Sequence, residues 1–595
     1  MHKLIQLFMC GYILNYICSI GRQIKHDLDS DPLLQHIFLL ALVTCGFGIW
    51  FRLPNFAGAD EYSRLIQPMK VAGEFISDPS FESIHRGITD GRALGATFYL
   101  YALVLFPVFL YILLTGQIAE FGTLGTLQSR FDLWHAAPAW FWSASILLGR
   151  LVSVVLGVGS VYLTYRLGVQ MEGRFVGRLA AVMLALSVGF FSQGHLVGED
   201  MPMLFFLLLT LVLADRYIET GDTTIFLLGS VTGGTAIAFK LSGGVAAVVL
   251  GAALVLRAVY STDTIRDTLK PQFVFAGLAI GIASIWIGIP SILVGGLPEL
   301  VDRVAGSVSS KTGRTGGFSA SIWYWFVYQY VSGLGIPLFI AGSVGASLTG
   351  VRLVTDRTTA HPLHWLLFLS IFIFLLVYSR WEFVRIRHLV PTYPAILILF
   401  AAEVNRWRET NNAWKSIRIG LAVVLVTTAA FAGAAEYQYI TDPRDEATEW
   451  VAENVEQGAS MEVYDNSISS LGTPHGRETS HYQYDEENAT DVPSLILNQS
   501  AYTAWMTSMP ERSPEYIQLS GALRYANPDR SNIYPQRREY IQGLLAGEYD
   551  YRVAATFGET TQASASSPGN RILDAGVSPR VEGVAEKVVI LERTN

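Results

Sequence analysis

Four short stretches place charged side chains where apolar runs of the chain end. In NFAGADEY (55–62) the carboxylates Asp60 and Glu61 are adjacent, with Arg64 one helical turn further on. In SQGHLVGEDMPM (192–203) Glu199 and Asp200 sit between two apolar segments. GGTAIAFKLSGG (233–244) contains Lys240, the only lysine between Lys70 and Lys270. SRWEFVRIRHLVPTYP (379–394) brings Arg380, Arg385, Arg387 and His388 to the start of another apolar helix. Each has a plainer reading: a solvated loop, a hairpin turn, a lysine snorkelling to the interface, a basic flank. Together they offer more. A carboxylate suits general-base work on an acceptor hydroxyl or amine. Guanidinium and ammonium groups suit a departing phosphate, whose charge grows in the transition state.

The elements that must carry these groups are membrane helices. Of 595 residues, 51% are apolar and 15% charged, and mean hydropathy is +0.36. The apolar residues gather in runs long enough to cross a hydrocarbon core of about 30 Å, and lipid forces such runs to be helical. About eleven spans are expected, near 35–51, 150–166, 176–193, 201–217, 224–239, 242–258, 272–292, 322–347, 363–379, 388–404 and 417–436. Orientation follows from Arg and Lys in short loops. Arg166, Arg174 and Arg178 form one basic group, and Arg257, Arg266 and Lys270 a second. Arg352 with Arg357, and Arg406, Arg408, Lys415 and Arg418, form two more. With a cytoplasmic N-terminus all four fall inside, so Asp60, the 192–200 turn, the 293–321 loop, the 380–388 turn and the tail lie outside. Residues 94–115 are apolar enough to cross, yet one extra crossing would invert everything downstream. They are therefore expected to be re-entrant or interfacial within an external loop over 52–149, with a paired crossing as the alternative. Residues 1–20 are apolar and lack a small-residue cleavage site, so a cleaved signal peptide is not expected; a further membrane-associated segment and an artefact of start-site choice are the alternatives.

Three parts follow: an N-terminal segment (1–34), a polytopic membrane domain (35–439) and an external acidic tail (440–595). The fold class expected is an all-α polytopic membrane domain with a small C-terminal external α/β or α+β domain. DPRDEATEWVAENV reads as a helix with Asp442 before Pro443 as its N-cap, and SMEVYD, YRVAATF and EKVVILER alternate like strands. Trp450, Tyr464, Tyr534, Tyr540, Tyr549, Tyr551 and Phe557 are available for a small core, and TTQASASSPGN reads as a loop. Asn488 and Asn498 begin glycosylation sequons. The tail has twice as many acidic as basic residues and accounts for the net charge of −8. Such a face stays hydrated by self-repulsion; it suggests a high-salt, halophilic habitat and argues against a nucleic-acid partner, which needs basic surface. Cys10, Cys18 and Cys45 all precede the tail, which therefore has no disulfide framework. His195 reads as a satisfied interfacial side chain rather than a metal ligand.

In order and spacing, these motifs resemble those of the C-fold membrane glycosyltransferases, in the protein-mannosyltransferase and aminoarabinose-transferase-like branch. GADEY resembles the acidic motif of the family's first external loop, whose leading Asp, here Asp60, is the proposed base. LLGRLVSVVLGVGSVYLTYRLG resembles the second helix, entered by Arg150. SQGHLVGEDMPMLFFLLLTLVLADRY resembles the next hairpin, with its acid at Asp200. GGTAIAFKLSGG resembles the helix that carries Lys240, and RIRHLVPTYPAILIL the RYLLPxxP helix, with Arg387, Pro391 and Pro394 matched and His388 where Tyr is commoner. The long insertion of the protein mannosyltransferases and the WWDYG motif of oligosaccharyltransferases are both absent. The resemblance implies inverting transfer of a single sugar, such as mannose, from a polyprenyl- or dolichyl-phosphate donor in the cell membrane to a glycan, lipid or protein acceptor. It assigns Asp60 as base with Glu61 beside it. Lys240, Arg385, Arg387, Arg150, Asp200, Glu199 and Arg64 are assigned to phosphate, sugar or acceptor. No cofactor or essential metal is expected; a divalent ion, if bound, would sit at Asp60 and Asp200. The glycine-rich 293–321 loop, with Arg303, Lys311 and Arg314, is expected to close over the donor. The rivals are an oligosaccharyltransferase or ligase-type enzyme, a transporter or flippase for a lipid-linked anion, and a non-catalytic scaffold.

Overall fold

The computed structural model describes residues 21–90, 95–118, 121, 130–260, 271–312, 320–355, 361–379, 381, 384–410, 414–464, 467–481, 499–526, 535–558, 567–585 and 587–594. Residues 1–20, Arg266, Lys270, Arg314, Arg357, Arg380, both sequons, Tyr534 and most of the TTQASASSPGN stretch lie outside these.

The membrane part runs α1 (Pro32–Gly46), α2 (Ala59–Ser77), α3 (Thr97–Leu114), α4 (Ala139–Glu172), α5 (Arg174–Ala185), α6 (Val188–Gly194), α7 (Asp200–Thr220), α8 (Thr223–Phe239), α9 (Val245–Tyr260) and α10 (Pro271–Gly288). It continues through α11 (Ile322–Leu334), α12 (Ile336–Thr355), α13 (Pro362–Tyr378), α14 (Ile386–Leu389), α15 (Tyr393–Thr410) and α16 (Trp414–Ile440). Among the described residues, eight helices are long and apolar enough to cross a membrane, and ten if two bent pairs each count as one span. α8 and α13 are shorter apolar helices. The span expected over 322–347 is instead two helices broken at Gly335, whose φ of 73° suits glycine; only α12 meets the spanning criteria. The expected 293–321 loop is largely helical, over Pro290–Thr312, with a break at Gly296.

α4 organises the rest. Its 34 residues extend about 51 Å at 1.5 Å per residue, well beyond the hydrocarbon thickness. Where it turns into α5, Gly168 and Gly177 meet so closely that an added methyl on Gly168 would lie 2.6 Å from the other backbone. Around that end the acids and arginines pair off: Arg166–Asp27 at 3.1 Å, Arg178–Asp31 at 2.8 Å and Arg352–Glu403 at 2.6 Å. The other end of α4, past Arg150, stands above the bundle. There Phe141, Trp142 and Ile146 form a second apolar core with Tyr101, Leu105, Val108 and Ile112 of α3 and with Val463, Ile468 and Leu471 of the tail. α3 is long and apolar enough to span, yet its buried face belongs to this upper core.

The tail opens with α17 (Pro443–Asn454), capped by Asp442 accepting from the Arg444 amide at 2.9 Å. It forms a four-stranded sheet of β1 (Met461–Tyr464), β2 (Tyr516–Leu519), β3 (Tyr551–Phe557) and β4 (Val588–Arg593) in the order β1-β2-β4-β3. β1 and β2 are parallel and the other pairs antiparallel, so the unit is α+β. Three strands match the alternating stretches; β2, the short segment YIQL, gives no alternation to read. Tyr464, Tyr540 and Tyr551 are core residues, whereas Tyr549 is exposed. α18 (Pro568–Val577) returns to the membrane part and packs on α11 and the start of α12, where Gly576 leaves room for Val331 and Ile336.

Candidate active site

Glu61 in the first turn of α2 accepts back-bonds from the amides of Ala57 at 2.7 Å and Gly58 at 3.3 Å. The same carboxylate receives Arg150 in two-pronged fashion, Nε at 2.8 Å and Nη2 at 3.0 Å, and the Val197 amide at 3.2 Å. The remaining Arg150 nitrogen donates to the carbonyls of Ile49 and Phe51 at 2.7 and 2.8 Å. Both side chains are sealed, at 0% and 1% exposure. Every polar atom of the pair is engaged with protein. Neither residue can reach a substrate, so the pair braces the site: it ties the 49–61 segment to α4 and to the turn before Glu199.

Asp60, one residue earlier, points the other way and keeps 39% of its side chain exposed. Its carboxylate is paired with Arg387 of α14. Burial pushes the Asp60 carboxyl up, but the Arg387 and Arg64 charges outweigh it and hold the group below the usual carboxylate range. Beside it, Arg64 Nε donates to Glu199 at 2.7 Å. Burial likewise opposes ionisation of Glu199, and Arg64 with Lys240 reverses the effect, so its value is lowered. Lys240 leaves the end of α8 in extended conformation and reaches Asp200 at 2.5 Å and Glu199 at 3.9 Å. Its approach is fixed from α3: the Ala96 amide donates to the Ala238 carbonyl at 3.0 Å, and Gly95 (φ 145°) has no room for a side chain against that carbonyl. Lys240 thus turns inward to the acids, instead of snorkelling outward.

The structure therefore brings Asp60, Arg64, Glu199, Asp200, Lys240, Arg385 and Arg387 to one end of the bundle. His388, where the motif commonly has Tyr, accepts from the Arg385 amide at 3.1 Å and stacks on Tyr378 at 5.0 Å between ring centres. His195 is buried and its Nε2 bonds Thr44 O at 2.9 Å, while its Nδ1 has no hydrogen-bond partner; it is a core side chain, not the satisfied interfacial one expected.

Three participants escape a reading of the sequence. Tyr101 clamps Gly198, donating to its carbonyl at 2.8 Å and accepting from its amide at 2.9 Å, which fixes the turn before Glu199. Only its position as a polar-tipped ring in an apolar run hints at this. Glu582, between β3 and β4, lies 3.4 Å from Arg387 Nε and 3.8 Å from Arg385. Gln193 donates to the same carboxylate at 3.1 Å. Nothing local in the sequence marks Glu582, and Gln193 lies in SQGHLVGEDMPM without being singled out there. Among the described residues, the one His/carboxylate group with metal-like spacing is Asp215, Glu219 and His361. It lies fifteen residues along α7 from Asp200, about 22 Å away.

Residues 95–346 match the family described as dolichyl-phosphate-mannose-protein mannosyltransferase. That stretch includes Arg150, Glu199, Asp200 and Lys240, with Asp60 and Arg387 on either side of it. No curated protein matches the chain. Similar solved structures include the oligosaccharyltransferase of Archaeoglobus fulgidus in apo form, with 12% identity, 94% of this chain and 88% of that one covered, and a TM-score of 0.47. The same organism's AglB with an inhibitory peptide and a dolichol-phosphate gives 11%, the same coverage and 0.48. ArnT of Cupriavidus metallidurans bound to undecaprenyl phosphate gives 12%, coverages of 85% and 95%, and 0.47. Over residues 95–346, then, the chain is similar to the dolichyl-phosphate-mannose-protein mannosyltransferase family.

Proposed function

We propose that this chain is an inverting glycosyltransferase that moves one sugar, a hexose of the mannose type, from a polyprenyl- or dolichyl-phosphate donor to a glycan, lipid or protein acceptor on the extracytoplasmic face. The observation that carries the reading is the pairing of a partly exposed carboxylate, Asp60, with a phosphate-suited cation, Arg387, beside a second cation, Lys240. The side is argued from charge: arginines crowd the opposite end of the bundle, as the positive-inside rule places them in the cytoplasm. The first loop (52–149) and the tail (440–595) are then external.

Asp60 takes the proton of the acceptor nucleophile, whose lone pair attacks the anomeric carbon from the face opposite the phosphate. The bond from that carbon to the phosphate oxygen breaks, and its electrons leave on the lipid phosphate. Arg385, Arg387 and Lys240 stabilise that charge, while Glu199, Asp200 and Arg64 hold Lys240 and orient sugar or acceptor. Donor binding also tunes the base. A phosphate drawing Arg387 toward itself weakens the hold that keeps Asp60 acidic, so the carboxylate gains basicity when a donor is present. Asp60 and Asp200 already have Arg387 and Lys240 as counter-cations, which fits a reaction without an essential metal.

Lipid-linked and protein-linked glycans compared in cells with and without the gene test this. Accumulated lipid-phosphate sugar together with glycans one residue short is expected; an unchanged profile overturns the reading.

A further inference from the structure

The phosphate cations of the site are already partnered by a carboxylate from a distant part of the chain. Glu582 approaches Arg387 and Arg385, and Gln193 steadies it. The segment that carries it is firmly seated. Val581 is buried in the bundle core and Val584 packs against it, Arg444 donates to the Gly583 carbonyl, and Gly583 (φ 96°) lies against Leu196 and Ala57. Backbone movement is thus costly, but the Glu582 side chain remains 20% exposed and can rotate away alone.

A carboxylate and a phosphate monoanion present similar oxygens to a guanidinium. We infer that Glu582 is a resident stand-in for the donor's phosphate: it occupies Arg385 and Arg387 in the free protein, and the lipid phosphate binds by displacing it. This rests on the glycosyltransferase reading above, in which those arginines receive the phosphate. Two consequences follow. Donor affinity is the difference between two anions competing for the same cations. In the resting state, Glu582 prevents Arg387 from being left with Asp60 alone.

The test uses the full chain in detergent micelles and a short-chain polyprenyl phosphate without sugar as probe, with binding followed by calorimetry. Glu582→Gln keeps the shape and the Gln193 contact but removes the charge. It is expected to tighten binding roughly 1.5- to fivefold, the range of a partly exposed charge pair. Equal or weaker binding by E582Q in a protein that melts like wild type overturns the inference. If R387M then still abolishes binding, the glycosyltransferase reading survives; if neither wild type nor any variant binds the probe, both fall.

Discussion

Two adjacent carboxylates, Asp60 and Glu61, meet opposite fates. Glu61 is sealed against Arg150 and accepts from three backbone amides; Asp60 faces the opening and shares Arg387 with Glu582. One step along the first turn of α2 rotates the side chain by about 100°, and that rotation separates architecture from chemistry. A buried pair with all its polar atoms satisfied can hold a loop in place but cannot move a proton to a substrate. The exposed pair can.

Breaking each side of this contrast should give different signatures. The largest effect is expected from Asp60→Asn. Removing a general base costs on the order of 10²–10⁴ in rate, so transfer from a lipid-phosphate sugar should fall by that factor while the melting curve stays put. Arg150→Met should do the reverse. It leaves Glu61 buried and unpaired, costing about 3–5 kcal/mol of stability, and the loss should appear in thermal melting before any assay is run. If R150M melts like wild type, the brace is misassigned. Lys240→Met should lower the rate on the order of 10²–10³, as loss of one electrostatic donor does, with the effect mainly in kcat.

The smallest effect is on pH. Asp60 is held below the usual carboxylate range in the free protein, so the acid limb of kcat/KM, which reports the free enzyme, should lie below the ordinary aspartate value of about 3.9. Arg387→Gln should move the limb of the residual activity upward. Glu199 is lowered too. Its contribution to stability is therefore present above the ordinary glutamate value of about 4.3 and lost as pH falls through its folded value. Acid unfolding monitored in Glu199→Gln should lack that component.

Much of this site is legible in the amino-acid sequence. Charged residues at the ends of apolar runs are rare enough to be read one by one, which singles out Asp60, Glu199, Asp200, Lys240, Arg385 and Arg387. The motif order joins segments more than 300 residues apart. What stays hidden depends on direction and distance. Glu61 and Arg150 look as reactive as their neighbours until burial is known. Gly335 splits a hydrophobic run that hydropathy alone reads as continuous. Glu582 sits in a segment without a pattern of its own; only the return of the tail onto the bundle, through α18 and Val581, brings it to the arginines. β2 escapes notice because four residues are too few to alternate visibly.

The tail is stitched to the front of the chain as well. Arg52 donates to Asp445 at 3.0 Å and to Leu471 O at 2.7 Å, and Arg444 reaches Ala57 O at 3.2 Å. This gives the site a clock. Asp60 is made early in synthesis, Arg387 only after 327 more residues, and Glu582 later still, so a growing chain carries the Asp60 carboxylate for much of its synthesis without the arginine it pairs with. The site comes into being, with its own stand-in anion already in place, only once the tail has folded back over the helices that preceded it.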